Sequence, residues 1–268
     1  MIIDRNNIFD VINKSNCKPD KDYGQNFLIE PLVSEKIVNL LDINNIDESV
    51  LEIGPGIGSL THFISSKTNN LTIVDIDRRM CDFLQVVYPD TKLVCNDIRK
   101  VEVNEYQKII ANLPYNVTTE IITYLLTNAL SAKKIVLMCQ SETFNHFYDI
   151  SGSEYGPVSI FIHLIGKIKR EFNVKAGCFM PQPKCTSTVF TIDIDSSKDR
   201  KLAFDCFMFS KKLFLNRRKT ILNNFINMGV EKANATEILE SLNISVLSRP
   251  EEISPEKYLE LYKKYQEK

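Results

Sequence analysis

The strongest constraint on fold is the run Ser49-Val50-Leu51-Glu52-Ile53-Gly54-Pro55-Gly56-Ile57-Gly58. Its first five residues read as a short buried strand, glycines follow at alternate positions, and a helical segment runs from about Ser59 to Ser66. Strand, glycine loop and helix together are the nucleotide-binding unit of α/β proteins. Glycine there supplies positive φ and lets backbone N–H groups approach a ligand closely.

The chemistry of the loop narrows the ligand. Its spacing is G-P-G-x-G rather than G-x-G-x-x-G. Pro55 removes a donor that a pyrophosphate would use, and Glu52 sets a negative charge beside the loop. Both features suit a cation without phosphate. S-adenosylmethionine, a sulfonium with an amino group, fits better than NAD or ATP. Leu71 to Asp77 reads as a second strand ending in carboxylates, and Asp75 lies about 20 residues beyond the loop, where an acid accepts both ribose hydroxyls. A bland alternative is an acidic strand end facing solvent. Lys92 to Cys95 reads as a third strand, and Asp97 just after it is placed to accept from an adenine amino group.

A fourth apolar run, Lys108-Ile109-Ile110-Ala111, leads into Asn112-Leu113-Pro114-Tyr115. At a strand's end this stretch suits one task. The Asn112 carbonyl and a nearby backbone carbonyl accept from an exocyclic NH₂, and Pro114 fixes the turn with no N–H to donate. Tyr115 lies flat on a planar base. Taken alone, the stretch is equally a proline-containing turn with an aromatic plug. Thr118, Thr119 and Glu120 stand as caps for a helix over 121–130, and a fifth strand over 135–139 ends at Gln140.

Elsewhere, Glu30 to Leu41 has helical spacing with Pro31 in its first turn, and Gln25-Asn26-Phe27-Leu28 leads into it. The segment 158–168 reads as either helix or strand. Residues 171–174 read as a strand, 178–184 as a stiff Pro-bracketed loop, and 187–194 as the alternating strand that closes the sheet. A charged linker, 195–201, divides the chain into domains 1–195 and 196–268, the second helical throughout. That second domain carries Lys211, Lys212, Arg217, Arg218 and Lys219, which in isolation is a solvated helix face.

Composition sets outer limits. With 44% hydrophobic and 25% charged residues, the 268-residue chain is an ordinary globular protein. Its net charge of −1 weighs against a surface built entirely for nucleic acid, but leaves room for a local basic face. The seven cysteines stand singly, which points to reduced thiols in the cytoplasm and to neither zinc nor disulfides. No apolar run nears the roughly 20 residues that span a bilayer, and the N-terminus lacks a secretory pattern.

Taken together, these residues resemble the rRNA adenine N6-dimethyltransferases, most closely the small-subunit branch linked to kasugamycin sensitivity. The resemblance covers nearly the whole chain. It is carried by Gly24-Gln25-Asn26-Phe27-Leu28, residues 52–61, Asp75-Ile76-Asp77, Asn96-Asp97, Asn112-Leu113-Pro114-Tyr115-Asn116, Phe179-Met180-Pro181-Gln182-Pro183-Lys184 and Asn216-Arg217-Arg218-Lys219-Thr220. It implies an α/β fold: a Rossmann-like S-adenosylmethionine-dependent methyltransferase domain followed by a small all-helical domain. It implies a monomer that dimethylates two adjacent adenines in the 3′-terminal hairpin loop of small-subunit rRNA, within a pre-ribosomal particle and away from membranes. Carried over by motif, Asn26, Leu28, Gly54 and Gly56 border the cofactor, Asp75 holds its ribose and Asp97 meets its adenine. Asn112, Leu113 and Pro114 take the target amino group beside the cofactor, Tyr115 stacks on the base, and Phe179 stacks or walls its other side. Lys211, Lys212, Arg217, Arg218 and Lys219 face RNA. No metal is implied. Two positions depart from the family: Asp75 replaces its usual Glu, and Gln140-Ser141-Glu142-Thr143 lacks its usual Lys. Other readings are a large-subunit rRNA methyltransferase conferring antibiotic resistance, a DNA adenine methyltransferase, and a non-catalytic assembly factor on the same fold.

Overall fold

A sheet covered by helices on both faces needs strands that are apolar without alternation. Residues 50–53 and 71–75 meet that need, being buried at every position. The computed structural model describes residues 1–15, 17–20, 24–114 and 117–267. In chain order its elements are α1 (Ile8–Ser15), β1 (Phe27–Leu28), α2 (Pro31–Asn39), β2 (Val50–Ile53), α3 (Thr61–Ile64), β3 (Leu71–Asp75), α4 (Arg78–Val87), β4 (Lys92–Cys95), β5 (Lys108–Asn112), α5 (Thr118–Asn128), β6 (Lys134–Gln140), α6 (Ser141–Tyr148), α7 (Pro157–Ile165), β7 (Gly166–Val174), β8 (Phe179–Met180), β9 (Ser187–Ile194), α8 (Arg200–Leu213), α9 (Ile221–Asn227), α10 (Lys232–Ser241) and α11 (Pro255–Gln266). They fall into two units. Met1–Ser141 with Lys169–Ile194 forms the first; Glu142–Ile168 with the chain from Asp195 onward forms the second.

The first unit is built on a seven-stranded sheet of order β4-β3-β2-β5-β6-β9-β7. β2 pairs in parallel with β3 and β5, β3 with β4 and β5 with β6, while β9 runs antiparallel to β6. Strand order reverses between β2 and β5, and open α/β sheets form their ligand crevice at such a switch point. Register does the rest. Ile53 lies opposite both Val74 and Ala111, and Asp75 lies opposite Cys95. The residues that follow these strands therefore leave the sheet side by side. Behind them, Ile37, Val38, Leu41, Ile73, Ile110 and Val136 form one apolar core. A two-stranded ribbon, β1 with β8, sets Leu28 opposite Phe179.

Several elements differ from the sequence reading. The helix after the glycine loop is a single turn, α3, because Gly58 and the residues around it remain in the loop. Thr118 does not cap α5 but lies inside it; its Oγ1 donates to the Pro114 carbonyl at 2.9 Å and ties the turn to the helix. The ambiguous stretch 158–168 is both things in turn: α7 ends at Ile165, and β7 begins at Gly166 in extended backbone. The loop 178–184 opens on β8.

In the second unit, α7 buries Ser159, Ile160, Phe161, Ile162 and Ile165 and needs cover on most of its surface. α8 supplies part of it, with Phe161 stacked on Phe207 at 5.3 Å between ring centres. Tyr155, Ile160, Phe209, Phe225, Leu239 and Tyr258 make the core. This burial explains why Glu142–Ile168 joins the helices beyond the linker. Asp199, Thr220 and Ser254 cap α8, α9 and α11 with side-chain oxygens.

Gly58 tests the loop geometry. Its φ is +92°, and a Cβ there would lie 3.0 Å from Leu84 Cδ2 and 3.3 Å from Tyr88 Cε2. Backbone strain alone costs an L-residue about 1–2 kcal/mol. Gly58→Ala should lower the melting temperature by about 2–8 °C. Gly177→Ala, where a Cβ meets nothing closer than 3.8 Å, should leave it unchanged; equal melting of the two variants would contradict this account.

Candidate active site

A cleft opens at the carboxyl ends of β2, β3 and β5. It is lined by residues 24–28, 52–56, 75–76, 96–99 and 112–114, with Ser59, Val117 and Ile121 among the others. The segment 24–28 is stitched to the ends of β3 and β5 and to the far end of the glycine loop. Gln25 Nε2 donates to Asp77 Oδ2 at 3.0 Å, Asn112 Nδ2 donates to the Asn26 carbonyl at 3.3 Å, and Ser59 Oγ donates to the Leu28 carbonyl at 2.6 Å. Asp77 is itself held by Arg79, through Nε at 3.0 Å and Nη2 at 2.6 Å.

The glycine loop adopts left-handed backbone at Gly54 and Gly56, with φ of +63° and +57°. A Cβ at Gly56 would press on the Phe27 ring at 3.1 Å, so only glycine lets the loop pass beneath the N-terminal segment. The Gly56 N–H donates to Asp75 Oδ2 at 3.3 Å, and the Asp77 N–H donates to Asp75 Oδ1 at 2.9 Å. Asp75 is 8% exposed. Burial pushes its carboxyl up to about 6, against the pull of these two N–H groups.

Glu52 is more extreme. It is 1% exposed, and among the described residues neither carboxyl oxygen has a geometrically defined hydrogen-bond partner. Thr61, through its hydroxyl and backbone N–H, pulls the Glu52 carboxyl down against burial. Burial pushes the Glu52 carboxyl up to about 8, and the Asp75 charge acts in the same direction. At neutral pH such a carboxyl is mostly protonated; a cation nearby favours its ionised form, whereas a phosphate disfavours it.

Asn112 ends β5. Its NH₂ is spent on the Asn26 carbonyl, and among the described residues nothing donates to its Oδ1. The Pro114 carbonyl already accepts from Thr118 Oγ1, so the turn offers a ligand two acceptors, Asn112 Oδ1 and the Leu113 carbonyl. The Leu113 N–H is fixed to the Met138 carbonyl at 3.0 Å, and its side chain is buried. Asp97, after β4, faces the same cleft with Arg99 clamped on its carboxylate. That guanidinium holds the Asp97 carboxyl below the usual carboxylate range.

The comparisons with known proteins agree with this geometry. The profile of the family described as ribosomal RNA adenine dimethylase matches residues 16–267. The chain belongs to that family. It is 34% identical to ribosomal RNA small subunit methyltransferase A of Malacoplasma penetrans, over 96% of each chain. It is 32% identical to the protein of the same name from Fusobacterium nucleatum, over 92% of this chain and 97% of that one. A dimethyladenosine transferase from Plasmodium falciparum has the same fold, with a TM-score of 0.78 at 23% identity over 90% of this chain and 98% of the other. The 23S rRNA methyltransferase ErmE follows with a TM-score of 0.69 at 18% identity, over 90% and 100%. The fold is thus the α/β, Rossmann-like fold of methyltransferases, and this member of the dimethylase family is an enzyme.

Of the residues expected at the site, Asn26, Leu28, Gly54, Gly56, Asp75, Asp97, Asn112, Leu113 and Pro114 come together in the cleft. Tyr115 lies outside the described residues. Phe179 is 2% exposed and packs in the core behind β1; it is not among the residues that line the cleft. In the second unit Lys211, Lys212, Arg218 and Lys219 are exposed, whereas Arg217 is engaged. It donates from Nη2 to the Gly152 carbonyl at 3.1 Å and sits 5.5 Å from the Phe214 ring centre. Sequence reasoning missed Ile76 and Arg99. Ile76 is an apolar residue left 52% exposed at a strand end, in the cleft, and only its position after Asp75 signals it.

Glu52 yields a test of the dimethylase cleft in the free protein. Its folded pKa of about 8 lies above the ordinary 4.5, so stability is fully present below about pH 4.5 and falls as pH rises to about 8. The loss is at most about 1.4 kcal/mol per pH unit. Glu52→Gln keeps the shape without the charge. The gain in melting temperature of this variant over wild type should grow from pH 5 to pH 8 and then level off; a difference constant with pH would contradict it.

Proposed function

We propose that this enzyme transfers methyl groups from S-adenosylmethionine to N6 of two adjacent adenines in the 3′-terminal hairpin loop of small-subunit rRNA. In this reading it works as a cytoplasmic monomer on a pre-ribosomal particle. The curated relatives named above are small-subunit enzymes, which favours that substrate over large-subunit rRNA. The observation that carries the mechanism is the Asn112 amide, pinned through Nδ2, with no donor to its Oδ1 among the described residues.

The residues of the cleft fit the methyl donor. Left-handed glycines allow close approach, and Asp75 offers two oxygens to ribose hydroxyls, each already steadied by one N–H. Glu52, buried and without a geometrically defined donor among the described residues, suits a ligand with cationic groups and no phosphate. Ile76 gives an apolar face for a purine, and Asp97 an acceptor for its amino group. When bound, S-adenosylmethionine supplies a methyl group on a positively charged sulfur.

The chain's own residues then act on the target base. An adenine amino nitrogen is a weak nucleophile because its lone pair is delocalised into the ring. Asn112 Oδ1 and the Leu113 carbonyl accept its two N–H bonds and aim the lone pair. Both contacts strengthen as positive charge develops on nitrogen, so they favour the transition state. No general base is required, since the proton is lost to water after transfer, and His62, His146 and His163 are left without a role. Tyr115 stacks on the extruded base, at an unstacking cost of a few kcal/mol that an unpaired loop adenine lowers. Of the two roles open to Phe179, its burial favours walling the clamp from behind over stacking on the base.

Asn112→Ala should lower kcat by at least about 100-fold, the usual scale for losing one oriented hydrogen bond at a developing charge. Affinity for S-adenosylmethionine, measured by calorimetry, should change less than about tenfold. Full turnover in this variant would remove Asn112 from the mechanism.

The exposed basic residues of the second unit are assigned to rRNA phosphates. Lys212→Glu with Arg218→Glu should weaken rRNA binding and reduce the salt slope by about two. Arg217→Glu should chiefly lower the melting temperature, because it breaks the strut to Gly152. An unchanged salt slope in the double variant would shift the RNA surface elsewhere.

A further inference from the structure

Two acids at strand ends carry the same clamp, two residues downstream. Asp77 is gripped by Arg79 and Asp97 by Arg99, each through the arginine's backbone N–H, Nε and Nη2. Only the second clamp lines the cleft. There, Arg99 N and Nε both donate to Asp97 Oδ1 at 3.0 Å, Nη2 donates to Oδ2 at 2.6 Å, and Nε reaches Oδ2 at 3.1 Å.

A carboxylate has about four lone-pair positions in all. The single Nε–H is shared, nearer to Oδ1 at 3.0 Å than to Oδ2 at 3.1 Å; counted on Oδ1, it leaves Arg99 filling both positions there and, through Nη2, one on Oδ2. One acceptor position is left, fixed in direction, on an oxygen that cannot donate while the carboxylate is charged. The ion pair contributes little to the fold, since the side chains are 17% and 45% exposed and the loop is short-range. Its geometry matters at the cleft.

We infer that Arg99 is a positioning residue for nucleoside recognition: by clamping Asp97 it leaves a single, obligate acceptor that takes a 6-amino purine and rejects a 6-oxo one. This rests on the reading that Asp97 meets the adenine of the methyl donor. A 6-amino group presents an N–H to the remaining Oδ2 position. A 6-oxo group presents an oxygen lone pair there, and like faces like. Without the Arg99 guanidinium only the backbone N–H of residue 99 still holds Oδ1, Oδ2 is no longer fixed in direction, and the selection is lost even though the acid remains.

The test is calorimetric binding of S-adenosylhomocysteine and of its deaminated counterpart, S-inosylhomocysteine, to the full chain. Wild type should prefer the amino compound by at least about tenfold, the scale of one hydrogen bond to a charged group. Arg99→Gln should bring the ratio to within about threefold, at an unchanged melting temperature, and Arg99→Lys should restore part of it. A merely structural Arg99 would lower both affinities together and leave their ratio alone. If Asp97→Asn abolishes the preference but Arg99→Gln keeps it, the proposal is overturned while the reading of Asp97 stands. If wild type shows no preference, that reading and the proposal fail together.

Discussion

Four parallel strands end in register, and everything this molecule does at its cleft depends on that. Because Ile53 sits between Val74 and Ala111, the glycine loop, Asp75 and Asn112 leave the sheet as neighbours. A slip of one residue in any pair would turn every side chain of that strand to the other face. Continuous burial of β2 and β3 on both faces makes such a slip costly. The N-terminal segment, joined to β3 through Gln25 and to β5 through Asn26, is fixed by the same ends.

The electrostatics of the cleft run against the stability of the empty fold. Glu52 and Asp75 are acids buried with too few donors, and both titrate above the ordinary carboxylate range. Their ionised forms are destabilising until something cationic or hydrogen-bonding arrives. Perturbed acids at a switch-point crevice mark a binding site. Asp97 differs. Arg99 holds it charged, so one acid of the cleft is ready before any ligand binds.

Much of this was legible in the sequence, and the parts that were not share a physical reason. Apolar runs ending in Gly, Asp or Asn are local signals, and they located the switch-point strands and the cleft residues Gly54, Asp75, Asp97 and Asn112. The bond from Asn112 to Asn26 joins residues 86 apart, and no local pattern announces it. Charge runs do not reveal which member is free. Arg217 reads like Arg218 in sequence, yet it braces Gly152 while its neighbour is exposed. Phe179 reads as either a stacking platform or a wall, and its pairing opposite Leu28 turns it into the core. Nor did the linker at 195 reveal that α7, apolar around most of its surface, packs with the helices beyond it.

The activity proposed for this cleft is dimethylation of two adjacent adenines of small-subunit rRNA. It is tested most directly on small ribosomal subunits lacking that modification. They are incubated with the enzyme and methyl-labelled S-adenosylmethionine, and the rRNA is then mapped by primer extension and mass spectrometry. The account predicts N6,N6-dimethyladenosine at two neighbouring positions in the 3′-terminal hairpin loop and none in large-subunit rRNA. Label confined to large-subunit rRNA, or no transfer by an enzyme that binds the methyl donor, would contradict it.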